Sequence, residues 1–160
     1  MMRVTLIAVG KLKESFLRDA CAEYSKRLQG FCQLHLIEVP AVKLPDQPSE
    51  AQIHAALEKE AEQIAKNIPS GAKVIPLCIE GRSMSSEQFA DYLEQTAVSG
   101  AGMIAFVIGS SFGLADCIKQ RAALRLSMSP MTFPHQLARV MLLEQVYRGF
   151  QILSGGKYHK

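Results

Sequence analysis

The 160-residue sequence predicts an α/β domain, a mostly parallel sheet covered by helices on both faces. Apolar strand patterns alternate with helical patterns along the whole chain, the order that produces parallel sheets. The strands read as continuous apolar runs instead of in-out alternation, the mark of a sheet buried on both sides. A chain of this length forms one domain, residues 1–160, with a single core.

Residues 4–9 are the first strand. With Lys11 and Lys13 directly behind and no small-residue cleavage pattern, the apolar start reads as a strand and not a signal peptide. A helix follows over 14–28, where Phe16, Leu17, Ala20, Cys21, Tyr24 and Leu28 recur at helical spacing and Gly30 stops it. Residues 34–39 form the second strand, closed by Pro40. Pro40, Pro45 and Pro48 make a surface loop, and Ser49 with Gln52 forms a capping box for a Glu- and Lys-rich helix ending before Pro69. The third strand is 73–79. Ser85 and Gln88 cap the next helix, which ends near Gly100 and Gly102, and residues 103–108 are the fourth strand. A short helix over 114–123, a short strand over 124–127, and a helix over 135–153 started by Pro134 complete the order.

Net charge is +3, which admits a polyanionic partner without the strong basic bias of a dedicated nucleic-acid module. After Ser111 the chain holds seven Lys or Arg residues against Asp116 and Glu144 alone. No apolar run approaches the roughly 18 residues of a membrane span. Cys21, Cys32, Cys78 and Cys117 lie far apart and read as reduced, mostly buried thiols of a cytoplasmic protein. The four histidines lack ligand spacing, so no metal is expected.

The fourth strand runs into Gly109-Ser110-Ser111-Phe112-Gly113. A glycine loop where a buried strand meets a helix is where open α/β sheets bind ligands. The spacing is neither the dinucleotide fingerprint nor a P-loop. It does match Gly-x-Ser-x-Gly, the nucleophile elbow of serine hydrolases, with Ser111 as nucleophile. That reading lacks its partners, because Asp116 lies in the adjoining helix and Glu144 in the middle of the last one. On the last helix, His135 and Arg139 share one side and Glu144, Arg148 and Gln151 the other. Two polar sides suggest a helix wedged between a site and another body such as a second subunit. The tail from Ser154 reads by composition as frayed, although Tyr158-His159-Lys160 offers an aromatic ring beside cations, a set that stacks on bases and holds phosphates.

Taken together, Val4-Thr5-Leu6-Ile7-Ala8-Val9-Gly10-Lys11, Ile37-Glu38-Val39-Pro40, Val107-Ile108-Gly109, Met131-Thr132-Phe133-Pro134-His135, Glu144-Gln145-Val146-Tyr147-Arg148 and Tyr158-His159-Lys160 resemble the SPOUT class of RNA methyltransferases. Within it they look like the ribosomal RNA large-subunit methyltransferase H family, over nearly the full length. The resemblance implies a homodimer, a C-terminal trefoil knot over about 73–160, and S-adenosylmethionine as cofactor. The acceptor it implies is nitrogen 3 of a pseudouridine in large-subunit (23S) ribosomal RNA. Carried over by residue, the cofactor pocket is Leu77, Gly109, Met128, Ser129, Pro130, Met131, Thr132 and Phe133. Arg148, Glu144, Tyr158 and His159 form the catalytic set, and His135, Arg139, Lys157 and Lys160 hold RNA phosphates. The family has a second glycine where this chain has Ser110. Two other classes stay open at this stage, the serine hydrolase and a noncatalytic RNA-binding dimer.

Overall fold

In a computed structural model, which describes residues 1–100 and 102–160, five parallel strands form one sheet. They are β1 (Met2–Val9), β2 (Cys32–Val39), β3 (Lys73–Ser83), β4 (Met103–Ile108) and β5 (Leu126–Ser127), ordered β2-β1-β4-β3-β5. The five helices are α1 (Ser15–Leu28), α2 (Glu50–Asn67), α3 (Ser86–Val98), α4 (Asp116–Gln120) and α5 (His135–Leu153).

Each face of the sheet has its own core. On one, Val4, Leu6, Ile75, Ile104 and Phe106 pack against Cys21 and Leu28 of α1, Phe89 and Leu93 of α3, and Leu142, Leu143 and Val146 of α5. On the other, Ile7, Val9, Val74 and Val107 meet Ala61 and Ile64 of α2 and Ile118 of α4. Adjacent residues of one strand serve opposite faces and both are apolar, which is why β1 and β4 read as continuous runs. Helix α5 lies between α1 and α3, and Gly149 permits that approach, since a Cβ there would meet Leu93 Cδ1 at 2.8 Å.

Both expected capping boxes form: Ser49 accepts from the Gln52 amide at 3.1 Å and Ser85 from Gln88 at 3.1 Å, with each glutamine returning the bond. The helix expected over 114–123 is shorter. Leu114 and Ala115 are buried in the α2-side core, Ala115 in extended conformation, and the Ala123 amide is drawn to the Val74 carbonyl at 2.9 Å. Packing there outweighs helix propensity. The third strand runs on to Ser83, with an irregular register against Leu126. The four cysteines are free, and Cys117 alone is exposed. Among the described residues no helix is long and apolar enough to cross a membrane.

Candidate active site

All strands point the same way, so their carboxyl ends share one edge. Ligands bind open α/β sheets at that edge. There the chain leaves β4 through Gly109, which is buried. A Cβ on Gly109 would overlap the Gly113 carbonyl oxygen and lie 2.7 Å from its carbon and 2.9 Å from Leu114 Cγ. The loop closes on itself, with the Gly113 amide donating to the Ser110 carbonyl at 2.9 Å and Gly113 at φ +89°, the left-handed region that suits glycine. Ser110 needs no such freedom, for no non-glycine residue described has positive φ. Its hydroxyl accepts weakly from the Phe112 amide at 3.4 Å, so the loop accommodates serine at this position.

This loop walls a cavity of about 660 Å³. Leu77, Gly109, Met128, Ser129, Met131, Thr132 and Phe133 all line it, and Pro130 is exposed beside them. Residues more than 50 positions apart in sequence thus converge as expected. The segment 128–133 is shaped by its own polar groups: Ser127 Oγ donates to the Ser129 carbonyl at 3.2 Å, and the Met131 amide donates to Ser129 Oγ at 3.0 Å. An ion pair of Lys119 and Glu80 at 2.8 Å stands at the wall and holds the Glu80 carboxyl below its ordinary range.

His135 borders this cavity and a second one on the α2 side of the glycine loop. Burial, then the charges of Arg139 and Lys13, push its imidazole pKa down. Arg139 is redirected relative to the sequence reading. It is only 4% exposed, donating to Glu38 Oε2 and to the Gly10 carbonyl, each at 2.6 Å. Its guanidinium ties α5 to the ends of β1 and β2 and is not presented to a phosphate. The polar side of α5 that carries it faces the protein's own sheet edge.

At the other end of α5 the expected catalytic set is assembled. Arg148 Nε and Nη2 both reach Glu144 Oε1, at 2.9 and 2.6 Å, and this bond is the chief cause of a raised Arg148 pKa. Tyr158 lies under the guanidinium, 4.7 Å from ring centre to Cζ, and donates to Glu144 Oε1 at 3.2 Å. Burial first, then the Tyr24 hydroxyl and Glu144, push its phenol pKa up to about 12. His159 bridges Arg148 Nη1 at 3.1 Å and Glu87 at 2.6 Å. The tail, read from composition as frayed, is therefore folded back. Gly155 at φ +71° and the bonds from Gly155 N–H to Ile152 and from Gly156 N–H to Gln151 form a Schellman stop that reverses the chain. Lys157 and Lys160 are exposed.

Two features escaped the sequence reading. One is the Arg139–Glu38 tie, which spans 101 positions. The other is Glu60, 4% exposed and accepting from the Val42 amide at 2.9 Å. A signal for Glu60 was present: it falls on the apolar stripe Ile53, Ala56, Leu57, Ala61, Ile64 of α2. Ser111, the hydrolase candidate, is exposed, has ordinary φ, and among the described residues has no hydrogen-bonded histidine.

A family model described as "Predicted SPOUT methyltransferase" matches residues 2–159. The ribosomal RNA large subunit methyltransferase H of Clostridium botulinum (strain 657 / Type Ba4) is 51% identical over 159 residues, covering 99% of this chain and 100% of that protein. Its counterpart of the same name from Streptococcus equi subsp. zooepidemicus (strain MGCS10565) is 50% identical with the same coverage. Among solved structures, TrmJ from Z. mobilis ZM4 aligns with TM-score 0.53 at 17% identity, covering 93% of this chain and 70% of that one. The last likeness speaks to fold alone.

Proposed function

The chain belongs to the SPOUT methyltransferase family, and from that premise we propose that it methylates nitrogen 3 of a pseudouridine in large-subunit ribosomal RNA, with S-adenosylmethionine as donor. The observation that carries this reading is the convergence of Leu77, Gly109 and residues 128–133 on one cavity. Its volume suits a nucleoside-sized ligand. Leu77, Met128 and Phe133 supply apolar walls for an adenine ring, the 128–133 segment supplies backbone donors and acceptors, and Gly109 lets the ligand approach the backbone without a side chain between.

When bound, the donor would supply an electrophilic methyl group on a cationic sulfur that becomes a thioether once the methyl is given up, with the acceptor's imide proton released to solvent. The protein's part is alignment and charge. Alignment alone accounts for much of the acceleration of such displacements. As the imide loses its proton, charge gathers on the two flanking carbonyl oxygens, and Arg148 stabilises it. Glu144, bound twice to Arg148, fixes the direction of the guanidinium. Tyr158 and His159 close over the nucleoside, and Lys157 and Lys160 hold phosphates.

The catalytic set and the cavity stand at opposite ends of α5. Thirteen residues separate His135 from Arg148, about 20 Å along a helix, so one chain does not bring Arg148 to its own cavity. We therefore assign the active site to a homodimer, in which one copy's cavity meets the other copy's Arg148 and tail. Exposed Ile79, Met131 and Leu137 support such an interface. The same reading gives residues 73–160 a trefoil-knotted path, supported by β3 lying between the two later strands β4 and β5. It also places the protein in the cytoplasm with the ribosome.

Mass spectrometry of ribosomal RNA from cells with and without the gene tests the reaction, which requires a methylated pseudouridine to vanish on deletion; an unchanged RNA refutes it. Mixing chains that lack Tyr158–Lys160 with chains whose cavity is blocked by G109D tests sharing. Activity restored on mixing two inactive proteins is expected, and none restored refutes the composite site.

A further inference from the structure

The sheet edge where the proposed donor cavity opens also carries an exposed aromatic ring beside unpaired cations. Phe112, in the glycine loop, is 45% exposed. It borders both the 660 Å³ cavity and a second one of about 760 Å³ on the α2 side of the loop. Lys11 and Lys13 stand exposed at the rim of that second cavity, and neither takes part in an ion pair among the described residues. The carboxylates that line the same cavity are Glu38 and Glu60. Arg139 neutralises Glu38 at 2.6 Å, and Glu60 is only 4% exposed, so the positive charge of the rim stays uncompensated.

The two lysines sit on a turn whose backbone is tied down. The Gly10 amide donates to the Val39 carbonyl at 2.8 Å, and the Gly10 carbonyl accepts from Arg139. The Leu12 amide donates to Glu38 Oε2 at 3.2 Å, and Arg18 Nη1 donates to the carbonyls of Leu12 and Lys13 at 3.1 and 2.8 Å. The turn is thus fixed while both ammonium groups are left to solvent, and a preorganised scaffold loses less entropy when it binds. A ring beside cations is the combination that grips single-stranded nucleic acid, the ring stacking on a base and the cations holding phosphates. An exposed ring also suits a subunit contact, but lysine is depleted from such interfaces, and two lysines here favour RNA.

We propose that this rim is the landing surface for the RNA strand adjoining the acceptor, with Phe112 stacking on the base next to the acceptor and Lys11 and Lys13 holding phosphates on either side of it. The inference rests on the methyltransferase reading above and leaves the acceptor in the 660 Å³ cavity, beneath the other copy's Arg148 and tail. The strand crosses the glycine loop, so the loop stands between two successive bases and not between acceptor and methyl donor. The rim supplies the phosphate contacts that Arg139, held by Glu38 and Gly10, does not. In the dimer the RNA is gripped from two sides, by Lys157 and Lys160 of one copy and by Lys11, Lys13 and Phe112 of the other.

The test uses the full-length protein, labelled S-adenosylmethionine and ribosomes from cells lacking the gene. F112A is expected to lower kcat/KM for ribosomes about 5- to 150-fold, with F112W near wild type and donor affinity in calorimetry within a few-fold. Ribosome affinity is read by co-sedimentation over a range of potassium chloride at constant magnesium. K11Q and K13Q are each expected to lower its log-log salt slope by about 0.7. K66Q, in the last turn of α2, leaves the slope as in wild type. Donor affinity that falls in F112A as far as turnover does makes Phe112 a wall of the donor cavity and overturns the proposal. A dimer that dissociates in F112A, read by analytical ultracentrifugation, makes the ring a subunit contact and overturns it too. Wild-type kcat/KM in F112A, or wild-type slopes in both lysine variants, overturns it alone and leaves the methyltransferase reading standing. A wild-type protein that transfers no methyl to ribosomes overturns both.

Discussion

Gly109→Ala puts the proposed cofactor cavity to a quantitative test. The added methyl overlaps the Gly113 carbonyl oxygen and falls 2.7 Å from the carbonyl carbon and 2.9 Å from Leu114 Cγ. The first two are backbone atoms within a closed turn held by the Gly113–Ser110 bond, so no flexible side chain can step aside. Overpacking of this kind costs about 1–3 kcal/mol. If the turn keeps its shape, the strain lowers the melting temperature, by about 2–4 °C per kcal/mol for a chain of this size. If the turn opens to relieve it, the cavity wall shifts, and the same energy reappears as a rise in the dissociation constant for S-adenosylmethionine of about 5–150-fold. Scanning calorimetry and titration calorimetry on one preparation therefore read two shares of a single cost. Gly30→Ala is the control, since nothing lies within 4 Å of a Cβ there, and it is expected to leave both readouts as in wild type. A Gly109→Ala protein that melts and binds like wild type refutes the argument that the loop must lack a side chain.

Arg148→Ala is expected to lower methyl transfer by about 10²–10³-fold with donor affinity within a few-fold; equal loss of both in calorimetry and turnover assays makes the residue structural instead. His135 is held below its ordinary pKa by burial, then by Arg139 and Lys13, so the unfolded chain takes up this proton before the folded one. The stability it contributes is present above about pH 6.5 and is lost as pH falls through the folded pKa. Denaturant midpoints between pH 5 and 7.5 fall less steeply in His135→Asn if this is right, and with the same slope if it is wrong. Glu38→Ala strands the buried Arg139 guanidinium, whose Nε already lacks a partner. The lost charge-assisted bond is worth about 1.5–3 kcal/mol, toward the lower end because the Glu38 side chain is 44% exposed, and thermal melts read it as a drop of about 3–6 °C. An unchanged melt denies Arg139 its role as a tie.

The alternation of elements was legible because β1 and β4 are largely apolar on both faces, a pattern that local sequence shows when helices cover both sides of a sheet. The two capping boxes were legible for the same reason: donor and acceptor lie three residues apart. What sequence missed depends on distance or on competition. The helix expected from Leu114 begins two residues later because Leu114 and Ala115 are drawn into the α2-side core, and periodicity does not weigh packing against propensity. Arg139 looked free because its partners, Glu38 and Gly10, belong to the opposite end of the chain. The tail looked frayed because Gly155 and Gly156 are flexible in isolation, yet those glycines permit the reversal that brings Tyr158 beneath Arg148. The cavity-lining residues came from a whole-chain likeness, since nothing in their local spacing places Leu77 beside Phe133.

Helix α5 links these parts. Its first turn borders both cavities through His135, its second anchors the ends of β1 and β2 through Arg139, and its fourth carries Arg148 to the folded tail. A helix with polar groups on two sides loses the single apolar stripe that ordinarily fixes a surface helix. Here the ties to Glu38 at one end and the Glu144, Tyr158 and His159 contacts at the other replace it. Those ties also fix the spacing between the cavity and Arg148 at about 20 Å, a span that no side-chain rotation closes. A methyl group travels far less than that, so the rigidity of α5 is what makes a second copy of the chain a chemical requirement of the proposed reaction.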